Sequence, residues 1–124
     1  MDAVELARAL FAALAQQDDE RVRSLCLPDL RASQNNARPM TLDTLLAFNR
    51  AVRAVVTDLR YEDAVRSATH TGFVEEHAVR GTLPDGRALD LAVCVVADVR
   101  DGKVAALREY VDTAAAAPLV AALR

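Results

Sequence analysis

One carboxylate in the last predicted strand lies among apolar neighbours. Glu109 alternates with Leu107 and Val111, so in an extended strand the three side chains point to the same face. A carboxylate on a face covered by helices loses its hydration, and this loss raises its pKa towards the range useful to a general base. Glu109 is therefore the first candidate for a catalytic proton acceptor. The alternative is a solvated or ion-paired glutamate at the rim of the covered face, with Arg80 as its partner.

Two further charged candidates belong to an earlier predicted strand. We assign Glu76, Ala78 and Arg80 to the inner face of this strand, and His77 with the remaining residues to its outer face. Glu76 could share a proton with Glu109 as half of a carboxylate pair. Arg80 could neutralise a carboxylate or bind an anionic substrate group. A structural ion pair is the alternative for both.

Two turn signals separate the strands that carry these residues. Pro84-Asp85-Gly86 predicts a tight turn between strands over 72–83 and 87–100. Asp101-Gly102 is a two-residue hairpin signal and predicts a third strand that ends at Asp112. The last half of the chain is therefore predicted to form an antiparallel meander.

The strand over 87–100 is apolar on both faces towards its C-terminal end. Leu91 and Val93 share one face, whereas Ala92 and Cys94 share the other. An antiparallel sheet that is covered on one side only should be polar on its outer side. We therefore expect a homodimer formed through the outer face of the sheet.

The N-terminal half has apolar residues at helical spacing. Three helices are predicted, the third of which is capped by Thr41 and carries Phe48 on its apolar stripe. Helices followed by a meander indicate one α+β domain over residues 1–124. Its sheet is curved, mixed and mostly antiparallel, with the three N-terminal helices over the concave face. Pro118 is predicted to be the first residue of a short closing helix.

Composition excludes several classes of function. The net charge of −3 argues against binding to nucleic acid or to an anionic membrane surface. Two isolated histidines without cysteine or aspartate at ligand spacing predict no metal site, and no glycine-rich phosphate loop or other cofactor motif is found. The acidic N-terminus and the lack of a long apolar run lead us to expect a cytoplasmic protein.

The order of elements and four sequence segments resemble a known superfamily. The segments are Glu75-Glu76-His77, Gly81-Thr82-Leu83-Pro84-Asp85-Gly86, Asp101-Gly102-Lys103 and Leu107-Arg108-Glu109-Tyr110-Val111-Asp112. Over essentially its whole length the chain resembles the nuclear transport factor 2-like superfamily, and within it the SnoaL-type polyketide cyclases and limonene epoxide hydrolase. The resemblance implies a cone-shaped single domain. It does not imply one chemistry, because this scaffold supports many activities.

The resemblance to limonene epoxide hydrolase also suggests individual roles. Its water-holding asparagine corresponds to Asn35, and its tyrosine is replaced by Ser33. The arginine and aspartate of its first meander strand are replaced by Glu76 and Ala78, whereas its final-strand acid is retained as Glu109.

We therefore expect a cavity for a small hydrophobic molecule and cofactor-independent acid–base catalysis, as in an isomerase, a cyclase or an epoxide hydrolase. The alternative is a non-catalytic module for lipophilic ligands or for dimerisation. Catalysis is assigned to Glu109, Glu76 and Asn35. The residues expected to line the ligand site are Ser33, Phe48, Ala78, Arg80, Leu91, Val93, Leu107 and Val111.

Overall fold

The computed structural model describes all residues from Met1 to Arg124 as four helices and five strands. The elements in chain order are α1 (Ala3–Ala15), α2 (Asp19–Leu25), β1 (Cys26–Gln34), α3 (Leu42–Val55), β2 (Thr57–Ala68), β3 (Gly72–Thr82), β4 (Ala88–Arg100), β5 (Lys103–Val111) and α4 (Thr113–Ala122).

The five strands form one mixed sheet in the order β1-β5-β4-β3-β2. β1 runs parallel to β5, and the other neighbouring strands are antiparallel. The predicted α+β class with a mixed, mostly antiparallel sheet is confirmed.

The two predicted turns connect the meander. Asp101 and Gly102 both have positive φ values, 56° and 73°, which suit the two-residue turn between β4 and β5. Gly86 has a φ of 88° in the turn between β3 and β4. These turns fix how the three strands pair, and hence which side chains share a face.

Side-chain caps begin all four helices, and that of α2 is Asp18, which accepts a hydrogen bond from the Arg21 amide at 3.1 Å. The Asp2 side chain accepts a hydrogen bond from the Glu5 amide at 2.8 Å, and that of Thr41 accepts from the Thr44 amide at 3.2 Å. The Asp112 side chain accepts from the Ala114 amide at 3.0 Å. This cap starts α4 at Thr113, so the prediction that Pro118 begins the helix is wrong.

The two cysteines are both free thiols. Cys26 is buried, and this burial raises its pKa to about 11. Cys94 is only half-buried because it lies on the convex face, opposite Glu76 on β3. None of the four helices combines the length and the apolar character needed to cross a lipid bilayer.

Candidate functional site

A cavity of about 300 Å³ lies between the concave face of the sheet and three helices, α1, α3 and α4. Nineteen of its 23 lining residues are hydrophobic, and the polar ones are Gln34, Asn49, His77 and Glu109. The structure places six of the residues predicted for the site in this lining: Phe48, Leu91, Val93, Leu107, Glu109 and Val111. The few polar groups are therefore surrounded by apolar surface.

Glu109 is held by a neighbouring amide on the floor of the cavity. Gln34 of β1 lies opposite Glu109 in the sheet, and its Nε2 donates a hydrogen bond of 3.1 Å to Glu109 Oε1. Burial raises the pKa of Glu109, whereas the charge of His77 and the Gln34 hydrogen bond oppose this rise. The carboxylate is thus kept in a site that favours its protonated form.

His77 belongs to a buried ion cluster that spans two strands. Its Nδ1 lies 2.6 Å from Oε2 of Glu75, and Oε1 of Glu75 accepts a hydrogen bond from Nε of Arg66 on β2. Because a carboxylate can only accept, Nδ1 of His77 carries the proton of this hydrogen bond, and Nε2 is left for other partners. Glu75 is fully buried, so its two partners replace the water that it loses on folding.

Two aromatic rings pack against this histidine. The His77 ring lies 4.9 Å from the Phe11 ring of α1 and 4.7 Å from the Tyr61 ring of β2, measured between centroids. Phe11 and Tyr61 meet edge to face with centroids 5.7 Å apart. The imidazole is therefore held by packing as well as by Glu75.

The assignment of faces on β3 from the sequence is wrong. We predicted Glu76, Ala78 and Arg80 on the inner face, but the β3–β4 register places His77 opposite Val93, which lines the cavity. Residues opposite each other in a sheet share a face. If residues are paired outward from the Pro84-Asp85-Gly86 turn, odd-numbered residues of β3 lie opposite odd-numbered residues of β4, which gives the correct inner face. The sequence reading missed Glu75 and His77 because it assigned β3 without that pairing.

The three misassigned residues lie on the convex side of the sheet. Glu76 is exposed there, and Ala78 is buried without lining the cavity. Arg80 donates hydrogen bonds to Asp63 at 2.9 Å and Asp90 at 3.1 Å, which is the structural alternative considered for it. None of these three side chains can act on a molecule bound in the cavity.

Asn35 and Ser33 also lie outside the cavity lining. The Asn35 side chain donates to the carbonyl of Val111 and accepts from the amide of Val111, both at 3.0 Å. Asn35 has a φ of 49°, a left-handed conformation that asparagine tolerates better than most residues. Ser33 pairs with Arg108 in the sheet, and the next residue, Gln34, faces Glu109. Asn35 therefore ties the end of β1 to β5, and Gln34 provides the amide of the site.

Comparison with known proteins identifies the family. The family model for the SnoaL-like domain matches residues 7–107. The chain belongs to this family, and the resemblance found in the sequence is confirmed. No curated protein matches the chain in sequence.

Solved structures with this fold come from proteins of different kinds. A protein of Pseudomonas putida proposed to be a polyketide cyclase has a TM-score of 0.78 at 21% identity, covering 90% of this chain and 92% of its own. PrhC from Penicillium brasilianum has a TM-score of 0.84 at 14% identity, covering 98% and 87%. An epoxide hydrolase of Mycobacterium tuberculosis, similar to limonene epoxide hydrolase, has a TM-score of 0.72 at 18% identity, covering 98% and 91%. At these identities the similarity shows the fold alone.

We expect the pKa of Glu109, followed by NMR titration of its carboxyl carbon, to lie above its ordinary value of 4.5. The folded chain then binds this proton more tightly than the unfolded chain. Its stability falls as the pH rises from 4.5 to the raised pKa. Glu109→Gln has no proton to lose and so avoids the cost of a buried negative charge. Above the folded-state pKa the variant should therefore be more stable than wild type, by about 1.4 kcal/mol per unit of pKa shift. A titration at or below the ordinary value would contradict the buried, proton-favouring environment.

The buried position of Glu75 generates a second prediction. Glu75→Gln keeps the shape of the side chain but leaves Arg66 without its counter-ion, so we expect the free energy of unfolding to fall by about 3 kcal/mol. Glu76→Gln is the matched control one position along the strand, and this exposed substitution should change stability by less than about 0.5 kcal/mol. Urea denaturation measures both. Equal effects of the two substitutions would show that the cluster does not stabilise the fold.

Proposed function

We propose that this protein is a cofactor-independent acid–base enzyme that acts on a small hydrophobic molecule in the cavity. The observation that carries the proposal is the presence of two titratable side chains, Glu109 and His77, in a lining that is otherwise almost entirely apolar. Each has a polar partner that holds it, Gln34 and Glu75 respectively. Isomerisation, cyclisation and epoxide opening all need such proton transfers.

Glu109 is the proposed proton acceptor. A base is most effective when its pKa lies near the working pH, and the burial of Glu109 moves its pKa in that direction. The Gln34 amide binds one oxygen of the carboxylate and leaves the other free to take a proton from carbon or from water. Apolar walls keep out the water that would otherwise solvate and weaken the base.

His77 is the proposed second proton carrier. Glu75 fixes the proton on Nδ1, as a carboxylate does for a catalytic histidine in other enzymes. Nε2 can then accept a proton from the ligand or hand one to an oxygen that becomes basic during the reaction. Both groups belong to regular strands, which holds them in fixed positions.

The size of the cavity limits the substrate. About 300 Å³ lies at the lower end of the range for ligand pockets, which suits a molecule with one or two rings. The same apolar walls favour the second candidate, a binding module that holds a lipophilic ligand without turnover.

We also propose that the chain forms a homodimer through the convex face of the sheet. Cys94 and Val96 of β4 are only half-buried in the single chain, and Val65 and Tyr110 are exposed on β2 and β5. Burial of this apolar surface against a second copy would remove it from water.

The catalytic proposal is tested with nitrobenzisoxazole, a small apolar probe. Removal of its ring C–H proton by a base breaks the N–O bond and releases a coloured nitrile-bearing phenolate, so no cofactor is required. We expect wild type to accelerate this reaction and Glu109→Gln to lower the rate roughly a hundredfold, the contribution of a positioned general base. Glu76→Gln, on the other face of the sheet, should leave the rate unchanged.

Two outcomes would overturn the catalytic proposal. A Glu109→Gln rate equal to that of wild type would remove Glu109 as the base. Saturable binding of the probe without acceleration would leave the binding module as the function.

The dimer is tested by light scattering at micromolar concentration, which should give twice the 13.4 kDa of one chain. Val96→Lys introduces a charge on the convex face and should shift the mass to that of a monomer, whereas Ala12→Lys, on the exposed face of α1, should not. A monomeric wild type would contradict this assembly.

A further inference from the structure

One partly buried arginine differs from the others. Arg53, Arg66, Arg80 and Arg108 are all half-buried. Arg66, Arg80 and Arg108 each form an ion pair with at least one carboxylate of the chain. Arg53 forms none.

The partners of Arg53 are neutral. Its Nε donates to Oδ1 of Asn49 at 3.1 Å, and its Nη1 donates to the carbonyl of Leu59 at 3.3 Å. Its Nη2 is buried and has no hydrogen-bond acceptor. A guanidinium removed from water normally has a counter-ion, because an unpaired buried charge is costly.

Arg53 lies directly behind one wall of the cavity. The residues that Arg53 contacts, Asn49, Leu59 and Tyr61, all belong to the cavity lining. Its Cζ is 5.4 Å from the centroid of the Tyr61 ring. Burial raises the pKa of Tyr61, and Arg53 opposes this rise. The charges of Glu109 and Glu75 add to it, so the hydroxyl keeps its proton and can donate it to an acceptor.

The other charges of the cavity do not compensate Arg53. Glu75 already has its counter-ion in Arg66. Glu109 is hydrogen-bonded to Gln34 and forms no ion pair with Arg53. The α3–β2 side of the cavity therefore has an uncompensated positive charge, on the same side as the Tyr61 hydroxyl.

We propose that this side of the cavity is a subsite for the carboxylate of a small apolar acid, with Tyr61 as its hydrogen-bond donor and Arg53 as its counter-ion. The ligand would bring the negative charge that Arg53 lacks in the folded chain, and its apolar skeleton would fill the rest of the cavity. The inference rests on the cavity being a ligand site, as proposed above, but not on turnover there.

The test compares two near-isosteric probes, cyclohexanecarboxylate and cyclohexanecarboxamide, which differ in charge. Titration of the wild-type chain followed by NMR should show at least about tenfold tighter binding of the carboxylate, the effect expected of a desolvated charge pair. Arg53→Met keeps the apolar stem and removes the charge, so it should abolish the preference and leave amide binding unchanged. Tyr61→Phe should weaken carboxylate binding several-fold.

Two further variants control for charge and folding. Arg108→Met removes a half-buried arginine of the convex face and should keep the preference for the carboxylate. Arg53→Lys retains a positive charge and should keep part of the preference for the carboxylate. The NMR spectrum of each variant shows whether the fold is intact, and Arg53→Gln replaces Arg53→Met as the uncharged variant if the latter does not fold.

Equal binding of the two probes, or a preference that survives in Arg53→Met, would overturn the subsite. If nitrobenzisoxazole is turned over with Glu109 as the base while the carboxylate shows no preference, the subsite fails and the enzyme proposal stands. If neither cyclohexane probe binds at millimolar concentration, the subsite fails together with the cavity as a site for such molecules.

Discussion

Every residue of β3 is paired with β4 without a bulge, from Gly72 opposite Asp98 to Thr82 opposite Ala88. Since side chains alternate between the two faces of a strand, this continuous ladder fixes which residues of β3 face the helices. A Cβ at Gly72 would lie only 2.1 Å from the carbonyl oxygen of Ala97, so the start of the ladder requires glycine. The same register that buries the valines of β4 carries His77 and Glu75 inward with them.

That register turns two carboxylates towards the helices, where they lose hydration, and side chains of the neighbouring strands bind them. The row across the sheet through Glu75 holds Gln34, Glu109, Val95 and Arg66 in successive strands. Each of the two carboxylates in this row has a partner from the next outer strand, an amide for Glu109 and a guanidinium for Glu75. Glu109 is thereby held by a neutral partner, whereas Glu75 is held in an ion pair and also contacts His77.

Most of the cavity lining is apolar and has no chemistry of its own. This agrees with the different kinds of protein that share this fold. Apolar residues on the concave face are needed to hold the helices against the sheet, whatever the ligand. The few polar side chains are what can distinguish one SnoaL-like domain from another in chemistry. In this chain the carboxylate and the imidazole lie on β5 and β3, and the phenol of Tyr61 lies on β2 with the Arg53 guanidinium behind it.

The sequence alone determined the class of fold, the order of elements and the two turns of the meander, because these depend on local periodicity and on turn residues. It also determined that Glu109 shares a face with Leu107 and Val111, since strand alternation fixes neighbours within one strand. The inner position of His77, the partners of Glu75 and the neutral surroundings of Arg53 depended on pairing between residues distant in the chain. The misplacement of Glu76, Ala78 and Arg80 has the same origin. Periodicity separates the two faces of a strand, but only its register with the neighbouring strand decides which face is covered by the helices.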